Sequence, residues 1–147
     1  MARVQLTGFA EYIDKLDRLT DKTEGIMKQA LYVGAGKIAD SVRGGIGGVP
    51  VDDEYANGHD KRSGIRSEQK DELESGLGIA KMETKNGSVD TRVGFRRGAA
   101  QIARKVESGT SYMVKHPFIR QACNKARQSA IEEMKRVFEE KTQEIMK

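Results

Sequence analysis

The chain reads as an α+β domain: a small antiparallel sheet, made of an N-terminal strand and a long β-hairpin, packed by two N-terminal helices and a long C-terminal helix. Three observations predict this. Asn86-Gly87, between two alternating runs, is the strongest short-range signal for a two-residue hairpin turn. Residues 3–7 alternate polar and apolar, with Val4 and Leu6 on one side. From Pro117 onward Phe118, Ala122, Ala126, Ala130, Met134, Phe138 and Ile145 recur on or near one helical face.

Taken in order, the strand at 3–7 is broken by Gly8. Phe9, Tyr12, Ile13, Leu16 and Leu19 follow at spacings of three and four, which predicts a short amphipathic helix. Asp21 with Glu24 forms a candidate capping box for a second helix, whose apolar face runs through Ile26, Ala30, Val33, Ile38 and Val42. Gly34 and Gly36 lie inside it, each costing up to about 1 kcal/mol relative to Ala. Close helix packing is the expected reason for them, and a hinge is the alternative. Residues 44–70 are rich in glycine and mixed charge with no apolar periodicity, so they read as a long flexible loop. The hairpin arms follow. Residues 73–82 carry Leu77 and Ile79 in alternation, and residues 89–95 carry Val89, Val93 and Phe95. A short helix over 99–106 ends at a turn, Glu107-Ser108-Gly109-Thr110, where Gly109 can take positive φ and reverse the chain. Pro117 suits the first turn of a helix, where its missing N–H costs nothing. About 29 residues at 1.5 Å rise then make a rod of roughly 43 Å.

The length of 147 residues fits one domain, 1–147, with room for a real core. No run approaches the roughly 18 apolar residues of a membrane span, and the first residues lack the apolar segment of a secretory signal. A single cysteine, Cys123, rules out an intrachain disulfide; its place on the long helix suggests a buried, inert thiol. Net charge is +4. The excess is concentrated between Arg92 and Arg127, where Arg92, Arg96, Arg97, Arg104, Lys105, Lys115, Arg120, Lys125 and Arg127 face only Glu107 as an opposing charge. Such a run is a solvated surface or a patch for an acidic partner or passing DNA. Without interleaved aromatics, base-specific readout is not expected.

Catalytic chemistry is hard to assemble from this inventory. His59, His116 and Cys123 are too few for a zinc site. His116 is expected to orient or cap its turn. Ser108 and Thr110 lie near His116 without a nucleophile elbow. Residues 94–98 lack the G-K-[ST] ending of a phosphate loop, and Asp52-Asp53-Glu54 lacks the spacing of a calcium loop and reads as a solvated charge run. No catalytic residue, metal or cofactor is assigned.

The stretch E-S-G-T, a spacer, then H-P-F-I-R-Q-A resembles the signature of phage head–tail joining proteins, the neck or tail-completion proteins of long-tailed phages. The matching positions are Glu107, Gly109, Thr110, Pro117, Phe118, Arg120 and Ala122. Ser108 stands where the family has an aromatic residue, and Gln121 where it often has proline. Lys61-Arg62-Ser63-Gly64 is the counterpart of the family's basic segment before the hairpin. The resemblance implies a non-enzymatic structural subunit that forms a ring, meets the head-closure or connector protein on one side and the tail terminator or tail tube on the other, and can touch DNA in the channel non-specifically. It implies a place in the virion, after assembly in the host cytoplasm. Loop 44–70 is expected to order only as rings stack, and a solvated linker with no role is the alternative. Glu107 and Thr110 are expected to bond local backbone N–H groups; an ion pair between Glu107 and Arg120 of the next subunit is the alternative. A small basic nucleic-acid-binding protein is the competing reading of the whole chain.

Overall fold

The computed structural model describes residues 9–54 and 61–147. The fold is mixed α+β and mostly helical: α1 (Phe9–Gly47), α2 (Ser67–Gly76), β1 (Leu77–Ile79), β2 (Glu83–Lys85), β3 (Ser88–Asp90), β4 (Val93–Phe95), α3 (Arg97–Ser108) and α4 (Phe118–Met146). The strand expected at residues 3–7 lies outside the described residues.

The two expected N-terminal helices are one helix of 39 residues, roughly 58 Å long. No boundary forms at Asp21, for two local reasons. The Thr20 hydroxyl donates to the Leu16 carbonyl (2.9 Å) and Thr23 to that of Leu19 (2.5 Å), so these polar side chains are satisfied without leaving the helix. The apolar stripe also continues unbroken across the expected break, from Leu19 to Ile26 and Ala30. Glu24 serves no cap; its carboxylate accepts from Thr84 of the hairpin (2.8 Å) and pairs with Lys28.

The expected loop at 44–70 is shorter than its composition suggests. Its first four residues finish α1, and its last residues, from Ser67, begin α2. Leu73, expected in the first hairpin arm, is instead fully buried in α2. Between the helices, Val51 bridges to Ile65 and Arg62 to Met113, both in parallel. Those described flanks are hydrogen-bonded to the body, not merely tethered.

The hairpin forms as expected, with Asn86 (φ 51°) and Gly87 (φ 80°) supplying the two positive φ angles its turn requires. It holds two antiparallel ladders, Leu77–Ile79 with Val93–Phe95 and Glu83–Lys85 with Ser88–Asp90. Between the ladders one arm carries residues 80–82 and the other only 91–92. That extra residue is a bulge between the two ladders.

α4 spans the expected 29 residues. It runs antiparallel to α1, with Phe118 beside Gly45 and Met134 beside Gly34. Its buried face is Phe118, Ala122, Ala126, Ala130 and Val137; Phe138, expected on that face, is exposed, and Cys123 is half-buried against the core. The seam is tight at one place. A Cβ on Gly34 would lie 2.5 Å from the Met134 side chain, whereas Gly36 faces open space, so close packing explains the first glycine only. The main core sits at the other end. There Val42, Ile46 and Val49 meet Ile65, Leu73, Ala99, Ala103, Val106, Phe118 and Ala122. The molecule thus has a body, built from that core, and an arm, built from α1, the far part of α4 and the hairpin. No helix among the described residues is long and apolar enough to cross a membrane.

Candidate functional site

The residues of the E-S-G-T … H-P-F-I-R-Q-A stretch converge on one corner, where α3 stops and α4 starts. α3 buries Ala99, Ala103 and Val106 on one face. It stops at Gly109 (φ 73°, ψ 171°), whose N–H still donates to the Lys105 carbonyl (2.8 Å). That backbone region is open essentially to glycine alone. A Cβ there would also stand 2.9 Å from Cβ of Lys115.

Beyond the glycine the chain folds tightly. The Thr110 hydroxyl accepts from the Tyr112 N–H (3.1 Å), and Thr110 and Met113 exchange backbone bonds. The Arg62 N–H donates to the Tyr112 carbonyl and the Val114 N–H to the Arg62 carbonyl, which fastens the turn to the segment before α2. The His116 N–H returns to the Val106 carbonyl (2.7 Å), and its ring Nε2 lies 2.8 Å from the Ser63 carbonyl oxygen. His116 is therefore a strap between two loops, in line with the expected orienting role.

Glu107 closes the corner. Its Oε2 accepts from the Ile119 N–H (2.8 Å) and its Oε1 from the Arg120 N–H (3.0 Å). These are first-turn donors of α4 that no intrahelical carbonyl can reach. The carboxylate also sits at the positive end of the helix dipole. Thr110 bonds a local backbone N–H as expected, whereas Glu107 bonds N–H groups twelve and thirteen residues on, not those of its own turn. Arg120 projects exposed from the same turn. Pro117 precedes the helix, and Phe118 plugs the core, edge-on to Phe95 with ring centroids 6.2 Å apart. The Ala122 carbonyl accepts from the Ser41 hydroxyl of α1 (2.9 Å). The whole stretch sets the angle at which α4 leaves the body.

The basic residues do not gather in one place. Arg92, Arg96, Arg97, Arg104 and Lys105 are all exposed. Arg97, Arg104 and Lys105 share the outer face of α3 by their spacing of seven and eight, while Arg92 lies in the hairpin and Arg96 turns towards the Ser75 hydroxyl (3.1 Å). On α4, Arg127 borders a groove with the hairpin and Lys125 a different cleft beside the end of α1.

Two further side chains hold the body together without any sequence signal to announce them. The Asp53 carboxylate accepts from both the N–H (2.9 Å) and the hydroxyl (2.5 Å) of Ser67, capping α2 from fourteen residues away. Those bonds, the hydroxyl's first, hold its pKa below the usual carboxylate value. Asp53 is thus a cap for α2 while remaining the exposed charge that its run suggested. Lys70 Nζ donates to the carbonyls of Gly47 (3.0 Å) and Val49 (3.1 Å), placing a cation at the negative end of α1. Compared with family models, curated proteins and solved structures, the chain matches none.

Proposed function

We propose that this chain is a non-enzymatic structural subunit of a phage head–tail junction, assembling as a ring between the capsid connector and the tail. What carries the reading is the corner itself. Every residue of the phage-like signature whose bonds can be followed is spent on geometry: Glu107 seats α4, Gly109 reverses the chain, Thr110 locks the turn and Phe118 anchors the rod. A joint protein needs a rod held at a fixed angle to a body; an enzyme needs a reactive group aimed at a substrate. In this reading the ring meets the head-closure protein on one side and the tail terminator or tube on the other, and the exposed cations of α3 face acidic neighbours or the DNA in the channel.

The test is genetic and visual. Deleting the gene from the genome that carries it should leave DNA-filled heads and finished tails lying unjoined in electron micrographs. Joined virions assembled without the protein would overturn the proposal. The exposed face of α3 also supports the second reading, a nucleic-acid-binding protein. Affinity for duplex DNA that falls steeply with salt in the isolated chain, together with normal virions in the deletion strain, would favour it.

A further inference from the structure

We propose that the unpaired first turns of α1 in one copy dock into a cationic cleft at the opposite end of a second copy, giving head-to-tail self-association. This rests on the ring-forming reading above and names the surfaces that would make the contact.

The first surface is an overhang. With Phe118 beside Gly45 and Met134 beside Gly34, the antiparallel register brings Met146 level with about residue 22 of α1. Residues 9–21 run on past the end of α4 for roughly 20 Å. Their apolar stripe continues the one that α4 covers further along, but here it is bare: Tyr12, Ile13 and Leu16 are 52%, 42% and 37% exposed. A helix end that shows water an apolar stripe is an interface lacking its partner. The segment is also acidic, with four carboxylates against two cations. By helical spacing Glu11 and Asp17 flank the stripe on opposite sides.

The second surface is a cleft of about 380 Å³ in the body, between α2, α3 and the turn at 110–113. Its floor is apolar, formed by Ile65, Ile102 and Met113. Arg66 and Lys105 stand on its rim with Tyr112, which is 78% exposed. No carboxylate is among the described residues lining it. The cleft can admit an apolar anchor such as Leu16 or Tyr12 while its rim meets flanking acids.

A second copy is the occupant because one chain carries both halves, apolar centre and opposite charge, at its two ends. A contact between different patches is heterologous; it closes into a ring when its rotation divides the circle and otherwise runs on as a filament.

The experiment uses the full chain in sedimentation velocity at low ionic strength, up to roughly 1 mM, the weakest affinity such a contact can have and still be seen. The expected result is concentration-dependent association. Reversing the tip (E11K/D17K) or the rim (R66E/K105E) should weaken it by about tenfold or more. All four side chains are exposed, and circular dichroism of each variant confirms folding. An equimolar mixture of the two variants should recover association, because each reversed surface then finds its complement. A wild type that stays monomeric throughout, variants that associate like the wild type, or a mixture that stays dissociated would each overturn the contact. Its failure is distinguishable from failure of the junction reading. Association through this contact by a protein missing from joined virions sinks the junction alone. Joined virions built normally from either charge-reversed variant sink the contact alone.

Discussion

Replacing Glu107 with alanine removes the acceptors for two N–H groups of α4 at once. A hydrogen bond to a charged group contributes roughly 1.5–3 kcal/mol, and losing a helix N-cap costs about 0.5–2 kcal/mol. Glu107 is half-buried, so water can partly replace it, and the lower part of those ranges applies. The expected cost is about 2 kcal/mol, which for a chain of this size lowers Tm by about 4–8 °C. Glu107→Gln keeps one oxygen but turns an amide NH₂ towards a donor and loses the dipole interaction, for about 1–2 kcal/mol. Glu107→Lys should exceed both, since it sets a cation at the positive end of α4. Arg120→Ala is the control. If Glu107 acted through an ion pair with Arg120 of a neighbour, E107A and R120A would both leave the monomer's Tm unchanged and both impair assembly. If it seats α4, only the Glu107 variants lose stability. Thermal unfolding followed by circular dichroism decides between them, and an E107A monomer melting within about 1 °C of wild type would refute the reasoning.

Three further outcomes follow from the same geometry. Gly109→Ala forces a side chain into a glycine-only backbone region and against Lys115; the expected loss is about 1–3 kcal/mol in chemical denaturation. Gly36→Ala, in open space, should stabilise α1 by about 0.5–1 kcal/mol, whereas Gly34→Ala must displace Met134 and should show no such gain; comparing the two denaturation midpoints checks this. Asp53 has a lowered pKa in the folded chain, through its bonds to Ser67. Its contribution is therefore fully present above the ordinary aspartate value and lost as pH falls through the folded one, so an acid titration of stability should be shallower in Asp53→Asn than in wild type.

Where the sequence could be read, the determinants were local. Asn86-Gly87 specifies the hairpin because both residues must take positive φ, and few other pairs do so cheaply. α4 follows from an apolar stripe that tertiary packing then uses nearly as spaced, and Gly109 from the one backbone angle only it adopts. Where reading failed, the deciding interactions came from far along the chain. α2 buries little of its own surface, Leu73 and Gly76 alone. Asp53 and Lys70 tie it to the body across fourteen and twenty-three residues. Asp21 and Glu24 look like a helix start, but a capping pattern of this kind is worth about a kilocalorie, and Glu24 is engaged by Thr84 and Lys28 instead. Of the signature corner, the roles of Gly109 and Phe118 were legible. The choice between the two roles of Glu107 was not, because its partners are backbone atoms of a helix whose direction only the fold determines.

The division into body and arm also says where function should be sought. The α1–α4 seam is lined by Ala30, Ala35, Ala39, Ala122, Ala126 and Ala130, while the large fully buried side chains, Ile46, Ile65, Leu73 and Val106, are all in the body. Small residues let two helices approach closely but remove little apolar area from water, at about 0.8 kcal/mol per buried CH₂. The arm is therefore a spacer with two roots in the body, α1 through Val42 and Ile46 and α4 through the Glu107–Phe118 corner. A substitution at the corner acts on the start of α4, while α1, rooted in the core by Val42 and Ile46, still packs alongside it. Recognition needs different residues, ones that face outward and are not committed to holding the fold. Tyr12, Ile13 and Leu16 at one end, and Arg66, Lys105 and Tyr112 at the other, meet that condition. α1 carries the tip and, through Val42 and Ile46, a share of the body core, so it is this one helix that joins those two ends.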